Sequence, residues 1–151
     1  MAKKVKEEKQ GIDAVLEALE NKYGMQRAPL NDMTIVSTGS IQLNRAMGIG
    51  GTALGKIIEL HGEESCGKTT LALHQMAEYQ KAFPDKRVAL IDFENSFDKN
   101  YAEAIGVDIN KLLIYQPDNQ EIGYNMILSL IEKDIVSCVV IDSQSAAAPK
   151  A

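Results

Sequence analysis

No apolar run in this chain approaches the ~20 residues that cross a bilayer, which excludes a membrane-spanning helix. Cysteine is scarce. Cys66 and Cys138 make no disulfide framework in 151 residues, so reduced cytosolic thiols and a cytoplasmic protein are the expectation. The opening MAKKVKEEKQ has no apolar region after its lysines, so it is not expected to be a secretory signal. Positive charge is also short: the formal net charge of −5 gives no support to nucleic-acid binding. The one basic cluster, Lys3, Lys4, Lys6 and Lys9, is interrupted by Glu7 and Glu8, the pattern of a solvated tail. His61 and His74 lack partners at metal-ligand spacing, so packing or solvent exposure is expected of both. There is no visible Ser–His–Asp arrangement, no internal repeat and no low-complexity segment, and Gly48-Ile49-Gly50 does not continue into a dinucleotide fingerprint. What remains is an ordinary soluble composition, 45% hydrophobic and 25% charged. The length suits about one domain, able to bury roughly two-thirds of its unfolded surface.

Apolar spacing then sets out the elements. Ile12, Val15, Leu16 and Leu19 follow i, i+3, i+4, i+7, with Tyr23 one turn further. That is one stripe on a helix of about four turns, stopped by Gly24 at its C′ position. Such a helix cannot bury its stripe alone and must dock on the body of the protein or on a neighbouring molecule. Met25–Met33 contains Pro29, Asn31 and Asp32 and reads as a linker. Thr34–Ser37 is β-prone, Ser40 caps a short helix Ile41–Met47 that Gly48 ends, and Gly50 and Gly51 turn the chain into a strand over Lys56–Leu60. A further helix runs to Phe83, where Pro84 and Asp85 break it. Strand-like runs follow at Val88–Asp92, Leu112–Gln116 and Val136–Asp142. Between them lie helical segments over Asp98–Ile105, stopped by Gly106, and over Asn119–Lys133, with Ile122, Met126, Ile127, Leu130 and Ile131 on one side. Strands that alternate with helices and are themselves near-continuous apolar runs predict an α/β fold, a parallel sheet with helices on both faces.

The chain is organised around Gly62–Thr70, GEESCGKTT, between an apolar run (Ile57 to Leu60) and a helical pattern (Leu71 to Ala77). It fits G-x-x-x-x-G-K-[ST] in the required context. The pattern arises by chance in roughly one in 200 chains of this length, so background matching does not account for it. Gly62 and Gly67 allow a loop whose amides turn inward, through Glu63, Glu64, Ser65 and Cys66, at a helix N-terminus that favours phosphate. Lys68 then reaches the β- and γ-phosphates and the Thr69 hydroxyl binds Mg²⁺. Upstream, Gly50–Lys56 (GGTALGK) has the same glycine and lysine spacing, but Ile57 stands where the hydroxyl belongs and a strand is expected after it, so this copy is rejected.

Ligands of such sheets bind at the carboxyl ends of the strands, where three acids fall. Asp142 ends Cys138–Ile141 and is the candidate to hold Mg²⁺ together with Thr69. Asp92 and Glu94 follow Val88–Ile91, and either carboxylate could orient the attacking water; spacing does not choose between them, and Asp92 also suits a turn. Cys66, inside the loop beside a helix N-terminus and Lys68, sits where thiols are reactive.

These residues, in this order, resemble the N-terminal portion of the bacterial RecA recombinase family. The resemblance covers nearly the whole chain from Gly11 and rests on STGSIQLNRAMGIGGTALGKIIELHGEESCGKTTLALH, LIDFENSFDKNYAEAIGVDINKLLIYQPD and VVIDSQSAAAPK. The second and third strings are not generic to NTPases. The resemblance implies an incomplete RecA-like phosphate-loop NTPase core over residues 34–151, preceded by an oligomerisation helix and linker over residues 1–33. It makes Glu94 and Lys68 the catalytic candidates, puts Asp98 and Tyr101 against adenine with the tyrosine stacking on the base, and gives Thr70 a second hydroxyl contact to phosphate. The implied cofactors are ATP and Mg²⁺. The implied partners are single- and double-stranded DNA and further copies of the chain, joined into a helical filament through the N-terminal helix, with no membrane. The implied activity is DNA-dependent ATP hydrolysis driving homologous pairing and strand exchange in DNA recombination, DNA repair and the SOS response. Other readings are a non-recombining NTPase of the same fold, and a non-enzymatic half of a split gene that caps filaments.

Three departures from the family pattern shape the expectations. Glu63 stands where the family usually has proline, adding charge and loosening the loop, and Phe93, Asn95, Ser96 and Phe97 replace small or different residues around Glu94. The sequence also stops at Pro149-Lys150-Ala151, before the family's DNA-binding loops and before the strand that lies between the phosphate-loop strand and the Asp142 strand. A gap in the sheet, poor stability in isolation and doubtful turnover by this chain alone are therefore expected.

Overall fold

The computed structural model describes residues 2–24 and 33–143, with side chains from residue 13 onward. The linker expected at Met25–Met33, apart from Met33 itself, and everything after Ser143 lie outside the described residues. The chain divides into two compact units, residues 1–32 and 33–151.

The first unit contains one helix, α1 (Ala2–Tyr23). It begins well before the apolar stripe: the charged stretch expected as a tail is helical too, since Ala, Lys, Glu and Gln are strong helix formers. Gly24 ends it at φ 61°, the left-handed geometry of a C′ residue. Val15, Leu19 and Tyr23, three members of the stripe, are exposed.

The second unit carries a short antiparallel pair and a parallel sheet. β1 (Ile35–Val36) pairs with β2 (Thr52–Ala53), and α2 (Ile41–Ala46) lies between them in sequence. Ser40 caps α2 as expected, accepting from the Leu43 amide at 3.3 Å. The rejected GGTALGK copy is consumed here. Thr52 is buried and accepts a hydrogen bond from Gln75, and a Cβ on Gly51 would collide with the Val36 carbonyl. No helix follows Lys56, so this copy has no anion site at a helix end.

α3 (Lys68–Ala82), β3 (Arg87–Asp92), α4 (Lys99–Ile105), a 3₁₀ turn (Ile109–Lys111), β4 (Leu112–Tyr115), α5 (Gln120–Glu132) and β5 (Val136–Asp142) follow in order. The strands run parallel in the order β4-β3-β5. β3 is central, and Val88 to Asp92 are all buried, whereas β4 and β5 are mostly half-buried. The core joins Leu73, Met76 and Tyr79 of α3 to Val88 and Leu90, with Ala102 and Val107 closing it near α4. The register places Ile91 opposite Tyr115 and Asp92 opposite Asp142, so the strands' carboxyl ends meet in one row.

Two expectations are corrected. Lys56–Leu60 forms no strand: it has β-prone composition, but among the described residues β5 pairs only with β3, and no strand lies beside this segment. A lone extended run cannot satisfy its backbone groups in a ladder, and Ile57 is fully exposed. On α5 the buried face is Gly123, Ile127 and Leu130, while Ile122 and Ile131 point to solvent at 51% and 57% exposure. The i, i+4, i+7 row that includes a glycine wins over the apolar row read from composition.

Candidate phosphate-loop site

The site is built where α3 begins. Ser65 at φ 59° and Gly67 at φ 94° are both left-handed, and together they curl the loop immediately before the helix. No side chain caps the first amides of α3, which leaves that N-terminus and its dipole facing the loop. Gly62 has a separate reason to be glycine: a Cβ there would lie 2.7 Å from the Cys66 sulfur. Gly62, Glu63, Glu64, Ser65 and Cys66 are exposed. Lys68 turns back over them, its ammonium donating to the carbonyls of Gly62 at 3.1 Å and Glu63 at 2.7 Å. The loop is thus wrapped around its own cation.

Two hydroxyls leave the first turn of α3 in different directions. Thr69 Oγ1 donates to Asp142 Oδ2 at 2.8 Å, joining the phosphate-loop helix to the end of β5 across 73 residues of sequence. Thr70 Oγ1 and the Tyr101 hydroxyl lie 2.8 Å apart, tying α3 to α4. Asp98 caps α4 by accepting from the amides of Asn100 at 2.8 Å and Tyr101 at 3.1 Å. Thr69, Asp142, Phe97, Asp98 and Tyr101 line one cleft at the sheet's carboxyl edge, with Asp92 at its base. Tyr101 keeps 45% of its surface exposed, so its ring remains available to a flat partner.

Asp92 and Glu94 differ sharply in burial. Asp92 is 1% exposed and accepts from the amides of Ser96 at 3.3 Å and Phe97 at 3.2 Å and from Gln116 Nε2 at 3.1 Å. It is the clasp of the segment after β3, and both of its carboxylate oxygens already accept hydrogen bonds. Glu94 is exposed on that segment and does not line the cleft. Gln116, which completes the clasp, was not singled out from sequence; a glutamine after a strand carries no local signal. His74 packs its Cβ against Gly39 and His61 is exposed. Burial pushes the Cys138 thiol up to about 12, while Cys66 is exposed.

The donor set fits Mg²⁺. A hydroxyl and a carboxylate are hard oxygens, and this ion takes one or two protein ligands plus waters and phosphate rather than a protein cage. Among the described residues no cluster of three His, Cys, Asp or Glu side chains could hold a metal by itself.

An α/β sheet with a glycine loop, a lysine and an acid-bound threonine at its carboxyl edge defines a phosphate-loop NTPase type of core. The family pattern described as the RecA N-terminal domain matches residues 8–151, and the chain belongs to that family. Protein RecA of Cytophaga hutchinsonii is 42% identical over 151 residues, covering 96% of this chain and 42% of the relative. Protein RecA of Leptospira biflexa is 40% identical over 158 residues, covering 100% of this chain and 40% of the relative. Protein RecA of Bacteroides thetaiotaomicron is 42% identical, covering 96% of this chain and 45% of the relative. The chain therefore spans less than half the length of these curated relatives. Among the described residues no helix is long and apolar enough to cross a membrane.

Proposed function

We propose that this chain binds MgATP in the Gly62–Thr70 loop and forms the ATP-binding portion of a DNA-dependent recombinase. The observation that supports the nucleotide reading best is the 2.8 Å bond between Thr69 and Asp142, two sequence-distant groups that we read as the Mg²⁺ ligands. Mg²⁺ bound there would screen phosphate charge. Lys68, a cation with three donors, exchanges its contacts to loop carbonyls for phosphate oxygens. The uncapped amides of α3 face the same anion. Tyr101 offers a ring for the adenine, Asp98 stands beside it, and Thr70 holds the tyrosine hydroxyl. Glu94 orients the attacking water once a neighbouring element or a closing movement brings it to the phosphate. The DNA partners, filament formation through α1, and roles in recombination, repair and the SOS response rest on family membership.

Lys68→Ala tests the nucleotide reading. Losing a charge-assisted contact to phosphate costs about 1.5–3 kcal/mol, or roughly a 10- to 100-fold loss of ATP affinity. Calorimetry showing retained affinity would overturn the loop assignment. Stimulation of hydrolysis by single-stranded DNA tests the recombinase part, and its absence favours a nucleotide enzyme that does not recombine.

A further inference from the structure

We propose that Phe93 is a positioning residue whose ring occupies the space a side chain at Gly123 would fill, and that this pair anchors the segment carrying Glu94. Consecutive residues of a strand point to opposite faces. Asp92 is held on the α3–α4 side by Ser96, Phe97 and Gln116. Phe93 continues the ladder with its amide donating to the Asp142 carbonyl at 2.8 Å, and its ring crosses to α5. A Cβ built on Gly123 would lie 2.6 Å from Phe93 Cζ and 3.2 Å from Pro117 Cγ.

Gly123 has no backbone reason to be glycine. It lies within α5, is buried, and is not among the residues with positive φ. After proline, glycine is the least favourable residue in a helix interior. The feature that demands a missing side chain there is the aromatic ring. The segment is consequently fixed at both ends, by Phe93 in the α5 socket and by the Ser96 and Phe97 amides on Asp92. Glu94 and Asn95 form the exposed tip between these anchors, with Asn95 turned left-handed at φ 54°. The functional consequence rests on the reading of Glu94 as the water-orienting carboxylate; the anchor does not.

The test uses Gly123→Ala, Phe93→Ala and the double variant, read by amide hydrogen exchange at Ser96 and Phe97 in the whole chain. Each single variant should speed exchange there roughly tenfold, one by expelling the ring and the other by removing it. In the double variant the ring is already gone and the new Cβ at 123 has nothing to expel, so exchange should match Phe93→Ala, about tenfold above the parent, rather than multiplying to about a hundredfold. Alanine alone favours the helix, so a purely helical effect of Gly123→Ala would slow exchange in α5 and leave the segment untouched. Unchanged exchange in Gly123→Ala, or a double variant in which the two effects multiply, overturns the anchor. For hydrolysis, Gly123→Ala should lower kcat with KM for ATP unchanged, and the double variant should match Phe93→Ala. Glu94→Gln should remove turnover while leaving exchange as in the parent. If Glu94→Gln keeps turnover, the reading of Glu94 falls, and the exchange comparison still decides the anchor.

Discussion

Replacing Asp92 and Glu94 in parallel separates a carboxylate that holds the fold from one proposed to serve chemistry, although the two stand two positions apart. Asp92 accepts three hydrogen bonds while only 1% exposed. Asp92→Ala leaves two amides and the Gln116 amide group without their acceptor. An orphaned buried donor costs about 1–3 kcal/mol. Ser96 and Gln116 are exposed and Phe97 is half-buried, so the lower figure, about 1 kcal/mol, applies to each of the three donors. The total is about 3 kcal/mol. At a typical slope near 2 kcal/mol per molar urea, the unfolding midpoint falls by about 1.5 M. Asp92→Asn keeps the shape but turns one acceptor into a donor facing another N–H, and loses about half as much. Glu94→Gln alters an exposed side chain and changes stability by less than about 0.5 kcal/mol.

Pulse proteolysis across a urea gradient reads all three variants, with ATP affinity measured on the same samples. Asp92→Ala should also weaken ATP binding, because Phe97, Asp98 and Tyr101 follow the segment it releases. Glu94→Gln should keep both stability and affinity and lose turnover. An Asp92→Ala chain with the parent's midpoint would refute the clasp, and a Glu94→Gln chain as weakened as Asp92→Ala would refute the division of roles.

Iodoacetamide should label exposed Cys66 readily, bound ATP should protect it, and equal rates with and without ATP would contradict its place in the phosphate loop. Cys138 should resist labelling: with its thiol pushed from 9.0 to about 12, its thiolate fraction at pH 8 is roughly a thousandfold below that of an ordinary thiol. The same shift predicts a pH effect on stability. Below pH 9 both states keep the proton; above it the unfolded thiol ionises first, so stability falls by roughly 1.4 kcal/mol per pH unit up to about 12, and Cys138→Ala removes that slope. Thr69→Val should abolish the Mg²⁺ dependence of ATP binding while Thr69→Ser retains it, checked by titrating Mg²⁺ at fixed ATP.

The parts of this fold legible in sequence are those whose causes are local. Asn119 and Asp98 cap helices because their side chains reach amides two or three residues on, and Gly106 stops α4 because the C′ position is left-handed. The pairing of Thr69 with Asp142 was legible for another reason: a specific phosphate-loop motif and an apolar run ending in an acid, the second weak alone, were expected to serve one metal. The Phe93–Gly123 contact and the Gln116–Asp92 bond were not legible. Each joins residues brought together only by the register of β3 against its neighbours, and neither glycine nor glutamine announces its partner in a linear pattern.

Lys56–Leu60 carries the same lesson into a measurable property. Its residues suit a strand, yet a strand exists only as one side of a ladder, and β5 pairs only with β3 among the described residues. Ile57 and Ile58 are consequently exposed at 103% and 43%, and Ile141 on β5 at 37%. An unpaired strand edge near exposed aliphatic side chains is a template for pairing with another chain. The chain in isolation should therefore associate at micromolar concentration, with weight-average mass rising with concentration in sedimentation. Ile57→Lys should reduce that association, since a charge on an open segment disfavours stacking of one copy on another. Because β5 also bears Asp142, association along its edge should lower Mg²⁺-dependent ATP binding as concentration rises. A monomer that stays soluble and unfolds in one cooperative transition would show that the open edge is closed by a contact that the sheet order does not contain.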